Sequence, residues 1–371
     1  MLFAPSQKSA ISSAASLLIL AQTISPVAAG CNSYVTTGST GNQTYNNYAL
    51  YDFRHLPDDV SGTPVYAQDE NFPNGQFALA TSPFFNSTTW TNYWSSIADL
   101  KKADPNLSQY VDTVFTPLNV AIAKDNSTTP DGETVLSLTT TRLEGYSPSA
   151  QIQSNQKFMH ASVRMSARML GPPGACGSFF LYGDDNNESD IELLTNDTQN
   201  GASMFHATNH PSQDSKGNTI PGASTIAPIP LNGTQNGTQT APWSEWTNWR
   251  MDWLSDRTQW IVNGDLVVDK TWSPPKIPSY LSVNMWSNGG SWTGNMTVGQ
   301  TATLQIRWIE IVYNTTSDNP SSGTVCVVGD NNDAANINAI DANPVSWASP
   351  RLSSSKLSWI AIIGVSAWMF L

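Results

Sequence analysis

The stretch that decides the fold is Gly177–Leu194, which reads GSFFLYGDDNNESDIELL. Apolar residues before and after its acidic centre are typical of a sheet interior, where unpaired charge is costly without a purpose. Successive side chains of a strand point to opposite faces, so Glu188, Asp190 and Glu192 project from the same face. The sequence therefore predicts a strand that carries three carboxylates on one surface.

The spacing of these carboxylates suits acid and base chemistry. The Cα atoms of Glu188 and Glu192 are expected about 13 Å apart, at about 3.3 Å per residue. Side chains that lean inward can bring the two carboxyls to the roughly 5 Å of a retaining glycosidase. Crowded carboxylates titrate as a coupled group with at least one raised pKa. Two other interpretations stay open on spacing alone, a solvated acidic face and, with Asp184 and Asp185 nearby, a site for calcium.

Short strands separated by turns surround this segment, with scarcely any helix. Thr134–Thr141 is rich in β-branched residues, and residues 159–168 alternate between an apolar face and a polar face expected in water. Asn263 and Gly264 predict a type I′ hairpin after a tryptophan-bearing strand near residues 249–253. One helix is predicted near Trp90–Leu100, where aromatic and aliphatic residues recur at helical spacing. The whole pattern indicates an all-β sandwich.

At these residues the chain resembles glycoside hydrolase family 16, whose signature is ExDxE. The resemblance continues with WTNWRMDWLSDRTQWIVNGDLV from Trp246, with YLSVNMWSNGG from Tyr280 and with IRWIEIVY from Ile306. It covers about Tyr51 to Asn314. It implies a concanavalin A-like jelly roll whose concave sheet binds substrate, and activity on β-1,3- or β-1,3-1,4-glucan.

The resemblance also implies roles for individual residues. Glu188 would be the nucleophile, Glu192 the general acid/base, and Asp190 the residue that hydrogen-bonds and tunes the nucleophile. The substrate-binding candidates are residues that match the family's cleft strand or the histidine-bearing segment of its laminarinase-type members, together with a nearby tryptophan: Asn284, Trp286, His206, His210 and Trp292. His206 and His210 are spaced for a metal only on a helix, so on a strand or loop we expect no metal from them.

Composition limits the partners of the protein. The 371 residues carry a formal net charge of −12 with a pI near 4.6, and no basic stripe is present to neutralise phosphate. We therefore expect a neutral polymer, β-glucan, and no nucleic acid. No cofactor is expected, although family 16 enzymes often hold a structural calcium. A monomer is the default expectation.

The two ends of the chain have the composition of targeting signals. Residues 1–29 are expected to be a secretory signal peptide, followed by a catalytic domain over residues 30–316. Residues 317–356 are predicted to be a Ser/Asn/Asp-rich linker with the attachment region of a GPI anchor. Residues 357–371 form a hydrophobic tail that such a signal loses. The expected location is extracellular, with the protein held on the outer leaflet at the cell surface or in the wall.

Cysteines and glycosylation sequons fit a secreted chain. We predict a disulfide between Cys31 and Cys326, because chain ends of compact domains often lie close together, and an inert buried thiol at Cys176. The predicted N-glycosylation sequons begin at Asn42, Asn86, Asn106, Asn126, Asn187, Asn196, Asn232, Asn236, Asn295 and Asn314. The sequon at Asn187 overlaps the acidic strand, so we expect it to be unoccupied.

The function that these observations favour is retaining, endo-acting hydrolysis of β-glucan. A wall transglycosylase is an alternative, because a sugar hydroxyl can replace water in the second step. The sequence also leaves open a lectin-like protein without catalysis and a purely structural wall glycoprotein, since fold does not imply function.

Overall fold

The structure is a computed structural model, and it describes residues 31–36, 42–56, 83–107, 109–125, 133–199, 201–231, 240–318, 323–329 and 337–339. The expected signal peptide and the hydrophobic tail lie outside the described residues. So does most of the expected linker, together with the sequons at Asn126, Asn232 and Asn236.

Twenty-two strands account for most of the described chain. In chain order they are β1 (Ser33–Thr36), β2 (Gln43–Tyr45), β3 (Asn47–Asp52), β4 (Trp94–Ser96), β5 (Asp99–Lys101), β6 (Asp112–Phe115), β7 (Val120–Lys124), β8 (Thr134–Thr141), β9 (Tyr146–Phe158), β10 (Ala161–Leu170), β11 (Cys176–Asp184), β12 (Asn187–Leu194), β13 (Thr198–Gln199), β14 (Ala202–Asn209), β15 (Ser224–Pro228), β16 (Thr247–Trp253), β17 (Thr258–Val262), β18 (Asp265–Lys270), β19 (Ser279–Trp286), β20 (Thr301–Tyr313), β21 (Val325–Val328) and β22 (Ile337–Ala339).

Helical structure is confined to short turns. The described chain has one α-helix, α1 (Thr88–Thr91), and 3-10 turns at Phe84–Asn86, Pro105–Leu107 and Pro117–Asn119. None of the helices in the described part of the chain has the length and apolarity of a membrane-spanning helix.

The helix predicted near Trp90–Leu100 is therefore wrong beyond its first turn. Trp90 and Trp94 are each 1% exposed, and their rings stack with centroids 6.1 Å apart. Trp94 begins β4, where it pairs with Ser154 of β9. Backbone pairing with β9 and burial of both indole rings replace the helix that local spacing favoured.

Two large sheets form the sandwich. The first contains β18-β17-β16-β10-β20-β8-β7 in that order, with β3 also paired to β20. The second contains β13-β14-β12-β11-β19-β9-β6-β5, with β15 paired to β14 and β4 to β9. This arrangement confirms the predicted all-β jelly-roll sandwich, and it places β12 inside the ten-stranded sheet, between β11 and β14.

The hydrophobic core lies between these sheets. Ile191 and Leu193 of β12 are 1% and 3% exposed and pack into it with Trp249 and Trp260 of the opposite sheet. Because side chains alternate along a strand, Glu188, Asp190 and Glu192 lie on the other face of β12. We call this surface of the ten-stranded sheet, which bears the three carboxyls, the carboxylate face.

A third, smaller sheet covers the outer face of the eight-stranded sheet. Its order is β2-β1-β21-β22, and it has its own apolar core, which includes Tyr34, Tyr48 and Trp308. The prediction that the polar face of β10 is exposed to water is therefore wrong. Ser162 is fully buried and Arg164 is 6% exposed. The Arg164 guanidinium donates to the Gly329 carbonyl, so the third sheet supplies the polar partners that water would otherwise provide.

The first described strand and a late one meet in this third sheet. Cys31 and Cys326 form the predicted disulfide, with Cα atoms 5.8 Å apart, and Cys176 is the free, buried cysteine. Strand β21 pairs in parallel with β1, so the folded chain continues past the predicted boundary at residue 316. Strand β15 pairs with β14 within a stretch rich in Gly, Pro, Ser and Thr. The hairpin at Asn263 and Gly264 is present, with φ of 52° and 90°.

Candidate active site

Strand β12 is paired on both sides, which fixes the neighbours of each carboxylate. Across β11, Glu188 faces Tyr182, Asp190 faces Phe180 and Glu192 faces Ser178. Across β14, Asp190 faces Thr208 and Glu192 faces His206. The three acids therefore lie in a row on the carboxylate face, flanked by aromatic and hydroxyl side chains from adjacent strands.

Hydrogen bonds from the core side hold β12 in place. The Ser189 hydroxyl donates to Asn209 Oδ1 at 2.6 Å. The Trp260 indole N–H donates to the backbone carbonyl of Asp190 at 2.8 Å, across the sandwich from β17. Both contacts involve buried groups, so they fix the backbone at the centre of the acidic row.

Burial governs the electrostatics of the row. It is the main cause that raises the pKa of Glu188, to about 8, and the negative charge of Asp190 adds to this shift. It also raises the pKa of Asp190, which is 3% exposed, and it raises the pKa of Glu192 well above its ordinary value. The interaction between the two side chains raises the pKa of Glu188 and lowers the pKa of Asp190, so these two carboxyls titrate together.

His210 lies beside this cluster. Its Nε2 lies 3.0 Å from Asp190 Oδ2, and its backbone N–H donates to the Glu188 carbonyl at 3.0 Å. Donor atoms of Glu188, Asp190 and His210 lie within 4.8 Å of one another, which is close enough for a metal. The same arrangement places an imidazole where its positive charge lowers the pKa of Glu188 and Glu192.

Asn284 lies two strands from Glu192 on the same face. It pairs with Ser178 across β19 and β11, and the Ser178 hydroxyl donates to Asn284 Oδ1 at 2.6 Å. This bond occupies the amide oxygen, so the Asn284 amide N–H groups are oriented as donors. Asn284 is 7% exposed, which leaves its polar head at the floor of the carboxylate face.

Trp286, Trp292 and His206 form an aromatic cluster at the Glu192 end of the row. The rings of Trp286 and Trp292 are stacked with centroids 5.9 Å apart, and the His206 ring meets Trp292 edge-on at 5.8 Å. Trp292 is 41% exposed, so its ring is available to a ligand. All five substrate-binding candidates thus lie around the three acids.

Several site residues were not predicted from the sequence. The Asp197 carboxylate accepts a hydrogen bond from His206 Nε2 at 2.8 Å and so orients the imidazole ring. Ser178, Phe180 and Tyr182 line the carboxylate face from β11. The period of two along Gly177–Tyr182 would have identified these three, because Phe179 and Leu181 between them are buried in the core.

Cys176 lies at the start of β11 and is fully buried. Burial, with a contribution from the Glu192 charge, raises the pKa of its thiol well above the ordinary value. The thiol therefore stays protonated and unreactive, as expected from the sequence.

Comparisons with known proteins agree with this geometry. The family described as "Glycosyl hydrolases family 16" matches residues 116–310, slightly more than half of the chain, and the match includes the whole acidic row. Congo red hypersensitive protein 1 of Saccharomyces cerevisiae is 28% identical over 142 residues, which are 37% of this chain and 25% of that protein. The chain thus spans about a quarter of the length of this relative.

Solved structures with similar folds include a β-1,3-1,4-glucanase (lichenase) derived from a mouse hindgut metagenome. It is 16% identical with a TM-score of 0.46, over 72% of this chain and 99% of that chain. The Crh5 transglycosylase in complex with NAG is 17% identical with a TM-score of 0.42, over 65% and 84% of the two chains.

Proposed function

The chain belongs to glycosyl hydrolase family 16, and on that premise we propose that it cleaves β-1,3- or β-1,3-1,4-glucan internally, with retention of configuration. The observation that carries this proposal is the row Glu188, Asp190 and Glu192, three carboxyls with raised pKa values on one partly open face. Placing three acids on one strand costs folding free energy through desolvation and mutual repulsion. A protein that only binds neutral sugar gains nothing from that cost.

In the first step Glu192 acts as a general acid. Its raised pKa keeps it protonated near neutral pH, so it can donate its proton to the glycosidic oxygen as the bond from that oxygen to the anomeric carbon breaks. The Glu188 carboxylate attacks the anomeric carbon from the opposite side, and a covalent glycosyl-enzyme forms.

Asp190 controls which of the two partners carries the proton. The step requires Glu188 in its ionised form. Asp190 is the more deeply buried of the pair, and burial raises its pKa. When Asp190 takes the proton from Glu188, its O–H donates to the Glu188 carboxylate and stabilises the nucleophile.

In the second step Glu192, now ionised, acts as a base. It removes a proton from water, the oxygen of which attacks the anomeric carbon and releases Glu188. The sugar leaves with its original configuration because two inversions have occurred.

The substrate class follows from the surroundings of the row. Exposed indole rings such as Trp292 suit the apolar C–H faces of sugars, and amide groups such as that of Asn284 suit hydroxyls. The net charge of −12 disfavours polyanionic substrates. Together with the expected signal peptide and anchor signal, these features support a secreted enzyme on the cell surface or wall.

Transglycosylation is the second candidate, and the aromatic cluster favours it. Trp286, Trp292 and His206 lie beside Glu192, the residue that must activate the acceptor in the second step. A glucan end stacked there would compete with water for the glycosyl-enzyme.

The test is incubation of the purified protein with laminarin and with mixed-linkage glucan, followed by mass spectrometry of the products. Fragments shorter than the substrate, absent with Glu188→Gln, support hydrolysis. Products longer than a defined starting oligosaccharide support transglycosylation. Binding to glucan without any product, unchanged in Glu188→Gln, would leave a lectin as the better account.

A further inference from the structure

The described sequons differ in how their acceptor nitrogen is used. N-glycosylation attaches sugar to Nδ2 of the asparagine, so a folded site needs that atom free. In Asn187, Nδ2 donates to Asp184 Oδ1 at 2.8 Å, and Oδ1 accepts from the Lys276 N–H at 2.9 Å. One end of this amide is bonded to the turn before β12 and the other to Lys276, so a glycan there would break both contacts beside the active site.

Asn314, just after β20, has the opposite arrangement. Its backbone N–H donates to the His160 carbonyl at 3.0 Å, and its carbonyl accepts from the Met159 N–H at 2.7 Å. Its Oδ1 accepts from the Asn46 N–H at 2.9 Å. Within the described residues its Nδ2 has no hydrogen-bond partner. The residue is fixed at three points with only the acceptor nitrogen unused.

This asparagine lines a cavity of about 350 Å³. The cavity lies on the outer face of the eight-stranded sheet, by the turn between β16 and β17, and so on the other sheet from the carboxylates. Its polar walls include His160, Ser255, Asp256, Arg257 and Gln259. The volume falls within the range of about 300–1,000 Å³ that is usual for small-ligand sites.

Two residues that line the cavity also carry polar atoms buried beneath its surface. Tyr45 and Gln259 line the cavity and are 2% and 3% exposed. In the part of the chain that the structure describes, Tyr45 Oη and Gln259 Oε1 have no hydrogen-bond partner. Both atoms are shielded from solvent, so the groups that face a ligand in the cavity are the more exposed polar side chains around Asn314.

We propose that Asn314 is N-glycosylated and that the innermost N-acetylglucosamine occupies this cavity. In the modification, Nδ2 loses a proton and forms a bond to the anomeric carbon of the sugar. The sugar leaves its lipid diphosphate donor, and the lipid diphosphate departs. The hydroxyl and acetamido groups of the sugar then meet the polar walls beside Asn314. The innermost sugar therefore packs against the protein between β2 and the β16–β17 turn and does not extend freely into solvent.

The proposal concerns a surface remote from the carboxylates, and it requires passage through the secretory pathway. The exposed sequons at Asn42 and Asn295 serve as internal controls for that passage. Activity on glucan is a separate readout, so failure of the proposed reaction would leave this proposal standing.

The experiment is peptide mapping of the secreted full chain before and after treatment with a glycan-releasing amidase, under native and denaturing conditions. We expect Asn314 to carry a glycan that is released about tenfold more slowly than those at the control sequons from native protein, and at the same rate after denaturation. An unmodified Asn314, or release from native protein at the control rate, would overturn the proposal.

Two variants distinguish binding of the sugar in the cavity from glycosylation of Asn314 itself. Ser255→Trp fills the cavity, and we expect it to raise the native release rate at Asn314 to that of the controls. Thr316→Ala removes the sequon but keeps the Asn314 contacts, and we expect it to lower Tm. A Tm unchanged by Thr316→Ala together with unchanged protection in Ser255→Trp would contradict a seated sugar.

Discussion

His210 Nε2 lies 3.0 Å from Asp190 Oδ2, on the face where Asp190 also hydrogen-bonds Glu188. The imidazole is therefore linked to the nucleophile through one intervening carboxyl. It comes from β14's C-terminal end, while the carboxyls come from β12, so their contact depends on the register between these strands. A histidine in this position can set the protonation of the whole row.

Replacing His210 should move the pH profile. The positive charge of His210 lowers the pKa of Glu188 and Glu192, so His210→Gln should raise both. The acidic limb of kcat/KM, which reports ionisation of the nucleophile, is expected to shift upward by about half to one pH unit. His55→Gln, at an exposed histidine, is the matched control. A profile unchanged in shape and lowered uniformly would show that His210 does not act through the carboxyls.

Replacing Glu188 should stabilise the protein at neutral and higher pH. Burial raises its pKa from 4.5 to about 8, so the folded state binds more protons than the unfolded state between these values. Stability attributable to Glu188 is then present below about pH 4.5 and lost as the pH rises towards 8. We expect Glu188→Gln to raise Tm at pH 8 and to match the parent at pH 4. Thermal unfolding at both values is the measurement, with the exposed Glu144→Gln as control, and an equal Tm difference at the two pH values would refute the linkage.

Substitutions of Trp260 and Trp249 form a matched pair that tests how much the indole hydrogen bond to β12 contributes to stability. Both indoles are buried in the core, but the Trp260 N–H donates to the Asp190 carbonyl whereas the Trp249 N–H has no partner in the described chain. Trp260→Phe removes the indole hydrogen bond to the Asp190 carbonyl, which should cost about 0.5–1.5 kcal/mol more than Trp249→Phe.

The same pair tests whether that bond matters for catalysis. We expect kcat to fall several-fold more in Trp260→Phe than in Trp249→Phe, with KM little changed, because the bond holds the strand that carries the acids. Denaturant unfolding and steady-state kinetics give the two readouts. Equal loss in the two variants would mean that the bond has no special role.

Local patterns predicted the elements whose partners are close in sequence. Strand β8 and the hairpin at Asn263 follow their periodicity and turn residues. The third sheet could not be predicted in this way, because β1 and β21 pair across almost 300 positions and each is only four residues long. The polar face of β10 was wrongly predicted to be exposed because the third sheet that covers it was not predicted.

In the candidate site, too, residues on one strand could be predicted from the sequence and contacts between different elements could not. The acidic row lies on one strand, so period-two alternation alone places its three side chains together. The contacts of Asp197 with His206 and of Trp260 with Asp190 join residues from different elements. Strand pairing and the packing of the two sheets bring such residues together, and no spacing within the sequence encodes either.

Trp292 should contribute to binding of the sugar rather than to chemistry. Its ring is 41% exposed and stacked on Trp286, so Trp292→Ala removes aromatic surface beside Glu192. We expect KM for glucan to rise about 3- to 10-fold, in line with about 0.5–1.5 kcal/mol for an aromatic contact. Trp292→Phe should recover most of the loss. If transglycosylation occurs, the alanine variant should also shift products towards hydrolysis, and an unchanged KM would exclude Trp292 from the binding surface.

The measurement that most directly tests the assignment of the carboxylates is azide rescue of two variants, with the product configuration read by NMR. In Glu188→Ala, azide takes the place of the nucleophile and attacks the β-glycosidic bond in one step, so an α-glycosyl azide is expected. In Glu192→Ala, with an activated β-glucoside, azide attacks the glycosyl-enzyme formed at Glu188, so a β-glycosyl azide is expected. The reverse assignment of products, or β-azide from both variants, would contradict the roles given to Glu188 and Glu192.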